Sequence, residues 1–339
     1  MNNRLRAKTR LQRFDIAKGI CIILVALGHF NPYFSPEWYK NFVYGFCAFH
    51  MPTFMFASGY IYLAYKKNIS YYEFVRKKVY RLMLPYFMVS TAIILIKIVA
   101  QNNGLYIQHP VAFNSFLKIL YSPDAAYFLW FAWALFVIFL IVPFFKTPLS
   151  RLLLFIFAVF LHYTPIPDLP DIFCVNEVRV QLIWFVLGMI CVDYDKIKWC
   201  NIIQNKLFKM FVFIAFIICY SFVIMIGHER INWSYIILSW TGLYVVMQLS
   251  ILIEQSKDTR IKNIFLSVGM ASYVVYLLHT SFEGLVKSIF TRFSLMQDTN
   301  NVIFISEAVI VCMIGVCTPV IIYKYIIVKY RITRFLFGL

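Results

Sequence analysis

Apolar positions in this chain gather into runs at 16–35, 42–64, 82–100, 127–145, 152–164, 178–192, 207–227, 233–253, 264–288 and 302–328. A helix that crosses a hydrocarbon core of about 30 Å needs about 20 mostly apolar residues, so the runs predict about ten transmembrane helices. The fold class that follows is all-α: a polytopic membrane helix bundle forming a single transmembrane domain over 1–339. The fifth and sixth runs are short for a span and predict tilted or re-entrant segments. The fifth leads into the proline-rich TPIPDLPD loop, with Pro165, Pro167 and Pro170. No internal repeat of the kind found in many secondary transporters is visible.

Charge gives the helices an orientation. Lys and Arg number five before the first run, six in 66–81, two in 146–151, four in 196–209, three in 257–262 and four after 323. The alternate loops carry little more than Lys40, Lys118, Arg179, Arg230 and Arg292, with Lys287 at a span end. By the positive-inside rule, both termini are cytoplasmic, with a basic tail over 1–15 and a second tail over 329–339, in a multi-pass cell (inner or plasma) membrane protein. Arg4, Arg6, Lys8, Arg10 and Arg13 precede the first run as in a signal peptide, but no small-residue cleavage site follows it, so that span is expected to be retained.

Composition agrees. Hydrophobic residues make up 62% of the 339 and charged residues only 14%, with mean hydropathy +0.75, which excludes an ordinary soluble domain. The formal charge of +17 is explained by the basic loops, without nucleic acid. Eight cysteines are scattered with no CxxC spacing, which implies neither a disulfide framework nor a metal site.

Candidate chemistry begins in the first run, RFDIAKGICIILVALGHF. Lys18 and His29 are eleven positions apart, which on a helix is three turns and about 20°, so they share a stripe with Ile22 and Val25 and lie about 16 Å apart along the axis. Depth arithmetic along the spans puts His29 about 10 Å, His50 about 12 Å and His279 about 8 Å from the outer edge. Three histidines from three helices thus fall at one level. Tyr276 and Glu283, at i−3 and i+4 from His279, share its face and are placed to orient the ring or accept its N–H. Lys18, Lys77, Lys78 and Arg81 gather at the opposite, inner boundary.

Simpler roles stand beside these. An intramembrane histidine often serves as an interhelical hydrogen-bond partner, and basic residues at a helix end ordinarily snorkel to the interface. Lys97 and Glu307 fit structural ion pairing, Trp130 and Trp133 fit belt and packing, and Ser58-Gly59 fits a close helix contact. His109, His162 and His228 lie in or near outer loops and carry little signal.

An ordered set of segments carries a resemblance. It comprises the Lys18-to-His29 spacing, HMPTFMFASGY from His50 to Tyr60, Lys-Val-Tyr-Arg at 78–81 followed by Leu84-Pro85-Tyr86, Leu-Trp-Phe at 129–131, and YLLH ending at His279. No one of them is specific alone. Together, along most of the chain, they resemble the acyltransferase 3 family of integral membrane O-acyltransferases, nearest its sugar and polysaccharide O-acetylase branch. That family commonly has arginine where this chain has Lys18 and Lys78, and lysine is a point charge where arginine is a fork.

The resemblance implies a ten-span enzyme that moves an acetyl group from cytoplasmic acetyl-CoA to a hydroxyl of a cell-envelope glycan or lipid-linked sugar, without a metal. Lys18, Lys78, Arg81 and Lys77 would bind the donor phosphates. His29 would act as general base or as a covalent acyl carrier, with His279, His50 and Glu283 as the other catalytic candidates. The competing function is a membrane exporter of a glycan or small metabolite with the histidines as a proton relay.

Overall fold

The structure, a computed structural model, describes residues 2–32, 35–103, 109–164, 169, 172–194, 205–226, 232–292 and 300–339, and side chains throughout these except for 2–11, 226 and 232. The proline loop residues Pro165, Pro167 and Pro170, together with His228 and Arg230, lie outside the described residues. Among those described the chain is helical, with no strand.

In chain order the helices are α1 (Asn2–His29), α2 (Glu37–Cys47), α3 (His50–Ala64), α4 (Tyr71–Lys78), α5 (Leu84–Asn102), a single turn α6 (Ser115–Lys118), α7 (Trp130–Ile141), α8 (Pro148–Tyr163) and α9 (Val175–Asp193). They continue as α10 (Lys206–Ile226), α11 (Asn232–Gln255), α12 (Thr259–Met270), α13 (Ser272–Arg292), α14 (Asn301–Ile322) and the short α15 (Arg331–Leu336). Starts are set by local chemistry. Thr147 and Ser150 form a reciprocal capping box at α8 with Pro148 in the first turn, and the Asp258 carboxylate accepts from the backbone of Arg260 and Ile261 at α12.

Every apolar run is helical, but fewer than ten helices pass as spans. Among the described residues six are long and apolar enough to cross a membrane, seven if the bent pair α12–α13 counts as one, so the count of ten is not reached by this measure. Two breaks and one short helix account for much of the difference. Pro52 lacks an N–H and its ring opposes the carbonyl four residues back, at Ala48, so the second run divides into α2 and α3 there. The ninth run bends by 80° at Ala271. The fifth run yields α8, a shorter apolar helix of 16 residues, whereas the sixth gains a turn and becomes a full candidate span at Val175–Asp193. Pro85 acts on a smaller scale: its ring opposes the Arg81 carbonyl, and Val79–Met83 widens into a π turn that keeps α4 and α5 in one 32-residue span.

α1 is the hub, packing against α3, α11, α12, α13 and α14. Two glycine crossings set the closest approaches. A Cβ on Gly59 would strike the Phe185 carbonyl and one on Gly188 the Phe56 carbonyl, so α3 and α9 meet backbone to backbone, and Ser58-Gly59 is indeed a close helix contact. A Cβ on Gly269 would likewise strike the Asp15 carbonyl, holding α12 against α1 one turn from Lys18. Away from the hub, Arg151 on α8 makes a buried two-point pair with Asp193, Nε to Oδ2 and Nη2 to Oδ1 each 2.6 Å, and also caps the carbonyls of Phe145 and Lys146.

Candidate functional site

The shared stripe of α1 faces a cavity. Lys18, Ile22 and Val25 line a space of about 170 Å³ whose other walls come from α3, α7, Leu82 of the π turn, and Ser272, Tyr273 and Tyr276 at the start of α13. For scale, an engineered core cavity of about 150 Å³ accepts benzene, so this space suits a slender chain and no bulky group. The cavity's hydroxyl donors are largely committed to main chain: Ser58 Oγ donates to Phe54 O (2.8 Å), Tyr273 to Leu82 O (2.6 Å) and Tyr276 to Phe128 O (3.0 Å). Lys18 is its cation, one-fifth exposed and 3.5 Å from the Asp15 carboxylate.

One turn beyond Val25 stands His29, the last residue of α1. Its ring lies 5.0 Å from that of His279 between centroids, and the Phe128 ring closes on both, at 5.7 Å and 5.3 Å. His279 is fully buried, and its Nδ1 is 3.0 Å from Val275 O and 2.9 Å from Tyr276 O. A carbonyl only accepts, so Nδ1 carries the proton, and the neutral ring presents Nε2 as an acceptor; among the described residues that nitrogen has no hydrogen-bond partner. His50 is fixed in the same way, Nδ1 to Phe46 O at 2.8 Å. His29 and His279 are thus in contact, while the His50 ring packs on Phe46.

The partners of this group differ from expectation. The His279 N–H is taken by main-chain carbonyls on its own helix. The Tyr276 hydroxyl donates to Phe128 O instead, and among the described residues both oxygens of the fully buried Glu283 lack a hydrogen-bond partner. Gly315 on α14 leaves room for that carboxyl, since a Cβ there would strike it. Two neighbours were not singled out from sequence. Phe128 precedes the Leu-Trp-Phe segment and has no polar mark to reveal it. Lys287 looked like a span-end anchor, yet its Nζ donates to the His29 carbonyl. The spacing of four from His279 to Glu283 to Lys287 was the available signal.

The basic residues spread out. Of the four expected at the inner boundary, Lys18 lines the cavity. Lys77 is half-exposed and paired with Glu73 at 2.6 Å, Lys78 lies over the Phe139 ring at 3.4 Å, and Arg81 is exposed on the π turn next to Leu82. Lys97, expected in a structural ion pair, donates instead to the carbonyls of His109 and Ala125. His162 bonds to Val180 O between α8 and α9, a packing role. Among the described residues no group of three His, Cys, Asp or Glu side chains could hold a metal ion.

Fold and site together define a multi-pass membrane helix bundle with a slender, mostly apolar cavity lined by a cation, its walls ending one turn short of two imidazoles in contact, those of His29 and the buried His279. The acyltransferase 3 family model, described as an acyltransferase domain, matches residues 11–324, and the chain belongs to that family. Among curated proteins, the nodulation protein NolL of Mesorhizobium japonicum is similar, 28% identical over 134 residues, or 38% of this chain and 34% of that protein. The match thus spans about a third of that relative's length. No solved structure matches.

Proposed function

We propose that this acyltransferase moves an acetyl group from acetyl-CoA to a hydroxyl of a cell-envelope sugar or polysaccharide, from the cell membrane and with both termini in the cytoplasm. The observation that carries the reading is the cavity that begins at Lys18 and ends a turn short of the His29–His279 contact. Its length and apolar walls suit the pantetheine arm of a donor whose phosphates remain outside. Lys18 is the first phosphate contact, and Arg81 is the second by its place beside Leu82 at the cavity wall. Lys78 and Lys77 contribute field more than contact, being turned to Phe139 and Glu73. The orientation rests on the alternation of basic loops.

In the reaction, a nitrogen of His29 takes the proton of the acceptor hydroxyl as its oxygen attacks the thioester carbonyl. The carbon–sulfur bond breaks, the ester forms, and the thiolate recovers the proton from the imidazolium, so no net proton is released. His279, neutral and locked by its Nδ1–H bonds, supports the His29 ring and supplies an acceptor nitrogen next to it. The test is mass spectrometry of the surface glycan from cells with and without this chain, paired with transfer from labelled acetyl-CoA by the purified protein in a bilayer disc. Glycan acetyl esters present only with the chain, and labelled ester made in the disc, support the reading. A glycan unchanged by deletion would overturn it.

A further inference from the structure

Along α13, His279, Glu283 and Lys287 follow one another at intervals of four, so they form one stripe running about 12 Å from first to last. The stripe meets His29 twice. At one end the His279 ring touches the His29 ring; at the other the Lys287 ammonium donates to the His29 carbonyl, across 258 positions of sequence. Helical side chains lean toward the N-terminus of their own helix, which brings the long Lys287 chain back over Glu283 toward the point where His279 stands.

The carbonyl in question is the last of α1. The final four carbonyls of a helix have no partner within it and carry the negative end of the helix dipole, so a cation there is both a cap and a favourable charge. A second cap comes from Tyr39, whose hydroxyl donates to Leu27 O at 2.7 Å. The end of α1 is therefore pinned from outside at two carbonyls, two residues apart, with the fully buried Phe30 next in the chain. An ordinary span-end lysine extends toward water. Lys287 turns inward to the His29 carbonyl, with Glu283 one turn behind it on the same face.

We propose that Lys287 is a positioning residue for the transfer reaction. By capping α1 at His29 it fixes the direction in which that imidazole leaves the helix, while His279 fixes the ring itself, and Glu283 serves as the counter-charge that lets a lysine be used there. The proposal rests on the reading of His29 as the reacting base or carrier. It assigns Lys287 no contact with either substrate.

The experiment compares wild type, Lys287→Met and Lys287→Arg in bilayer discs, reading kcat, KM and Kd for acetyl-CoA. It also reads the rate at which diethyl pyrocarbonate modifies His29, followed by peptide mass spectrometry. Misplacing a catalytic group by about 1 Å can cost about a hundredfold, and a loss of that order in kcat is expected for Lys287→Met, with KM and donor Kd unchanged and the His29 modification rate altered. Lys287→Arg, which keeps the donor and the charge, should recover most of the turnover. The proposal is overturned if Lys287→Met turns over like wild type, or if its loss is matched by weaker donor binding with His29 reactivity unchanged. A wild type that transfers nothing, while His29 reactivity still responds to Lys287, would instead remove the acetyl-transfer reading and leave the positioning role standing.

Discussion

The imidazole end of the cavity and the basic end are built in opposite ways. Around His29 each group is held by something rigid: His279 and His50 by carbonyls of their own helices, the His29 ring by His279 and Phe128, its backbone by Lys287. At the other end the cations have no common target. Lys77 spends its charge on Glu73, Lys78 rests on Phe139, and Arg81 is exposed. Reactive groups gain from being fixed before substrate arrives, because misplacement is costly in rate.

Substitutions at the two ends should therefore fail differently. The largest effect is expected from His29→Ala. Removing a general base costs about 10²- to 10⁴-fold, so acetyl transfer should fall to near background in a protein that still folds. Next comes a framework control, Arg151→Ala, which leaves the buried Asp193 carboxylate without its partner. A loss of about 3–5 kcal/mol is expected, read as a lower melting temperature in detergent and poor expression. If Arg151→Ala were as stable as wild type, the α8–α9 clamp would be ornamental.

Smaller effects belong to the basic end. Lys18→Ala should weaken acetyl-CoA binding by about 1.5–3 kcal/mol, roughly ten- to a hundredfold, measured by calorimetry, and Lys18→Arg should bind at least as well as wild type. Donor affinity unchanged in Lys18→Ala would reduce that residue to a helix-end anchor. Lys77→Ala is the smallest: an exposed i,i+4 pair contributes little, so neither stability nor donor affinity should move measurably. A clear drop in donor affinity there would mean that Lys77 leaves Glu73 when the donor binds.

Much of this contrast was legible in the chain itself. Run boundaries and helical rise set His29 and His279 at one level, and these two rings do meet. The stripe from Lys18 to Val25 follows from periodicity, and it does line the cavity. Partners were less legible. Periodicity says which face a residue is on but not whether a side chain or a main-chain carbonyl will take its proton, so the bonds of His279 and Lys97 were misassigned. Lys287 was overlooked because a lysine near a span end has a ready explanation in snorkelling, and only the neighbouring end of α1, brought in by tertiary packing, gives it another. The break at Pro52 and the bend at Ala271 reduced the span count because an apolar run records burial, not straightness.

The central claim is that binding and transfer are separate properties of the two ends of one cavity. The most direct measurement takes His29→Ala and Lys18→Ala side by side, reading acetyl-CoA affinity and single-turnover transfer under saturating donor on the same preparations. The account predicts a crossed result: His29→Ala binds donor as wild type does and transfers nothing, while Lys18→Ala binds weakly and, once saturated, transfers at close to the wild-type rate. A His29→Ala protein that binds donor and still transfers at the normal rate would contradict it.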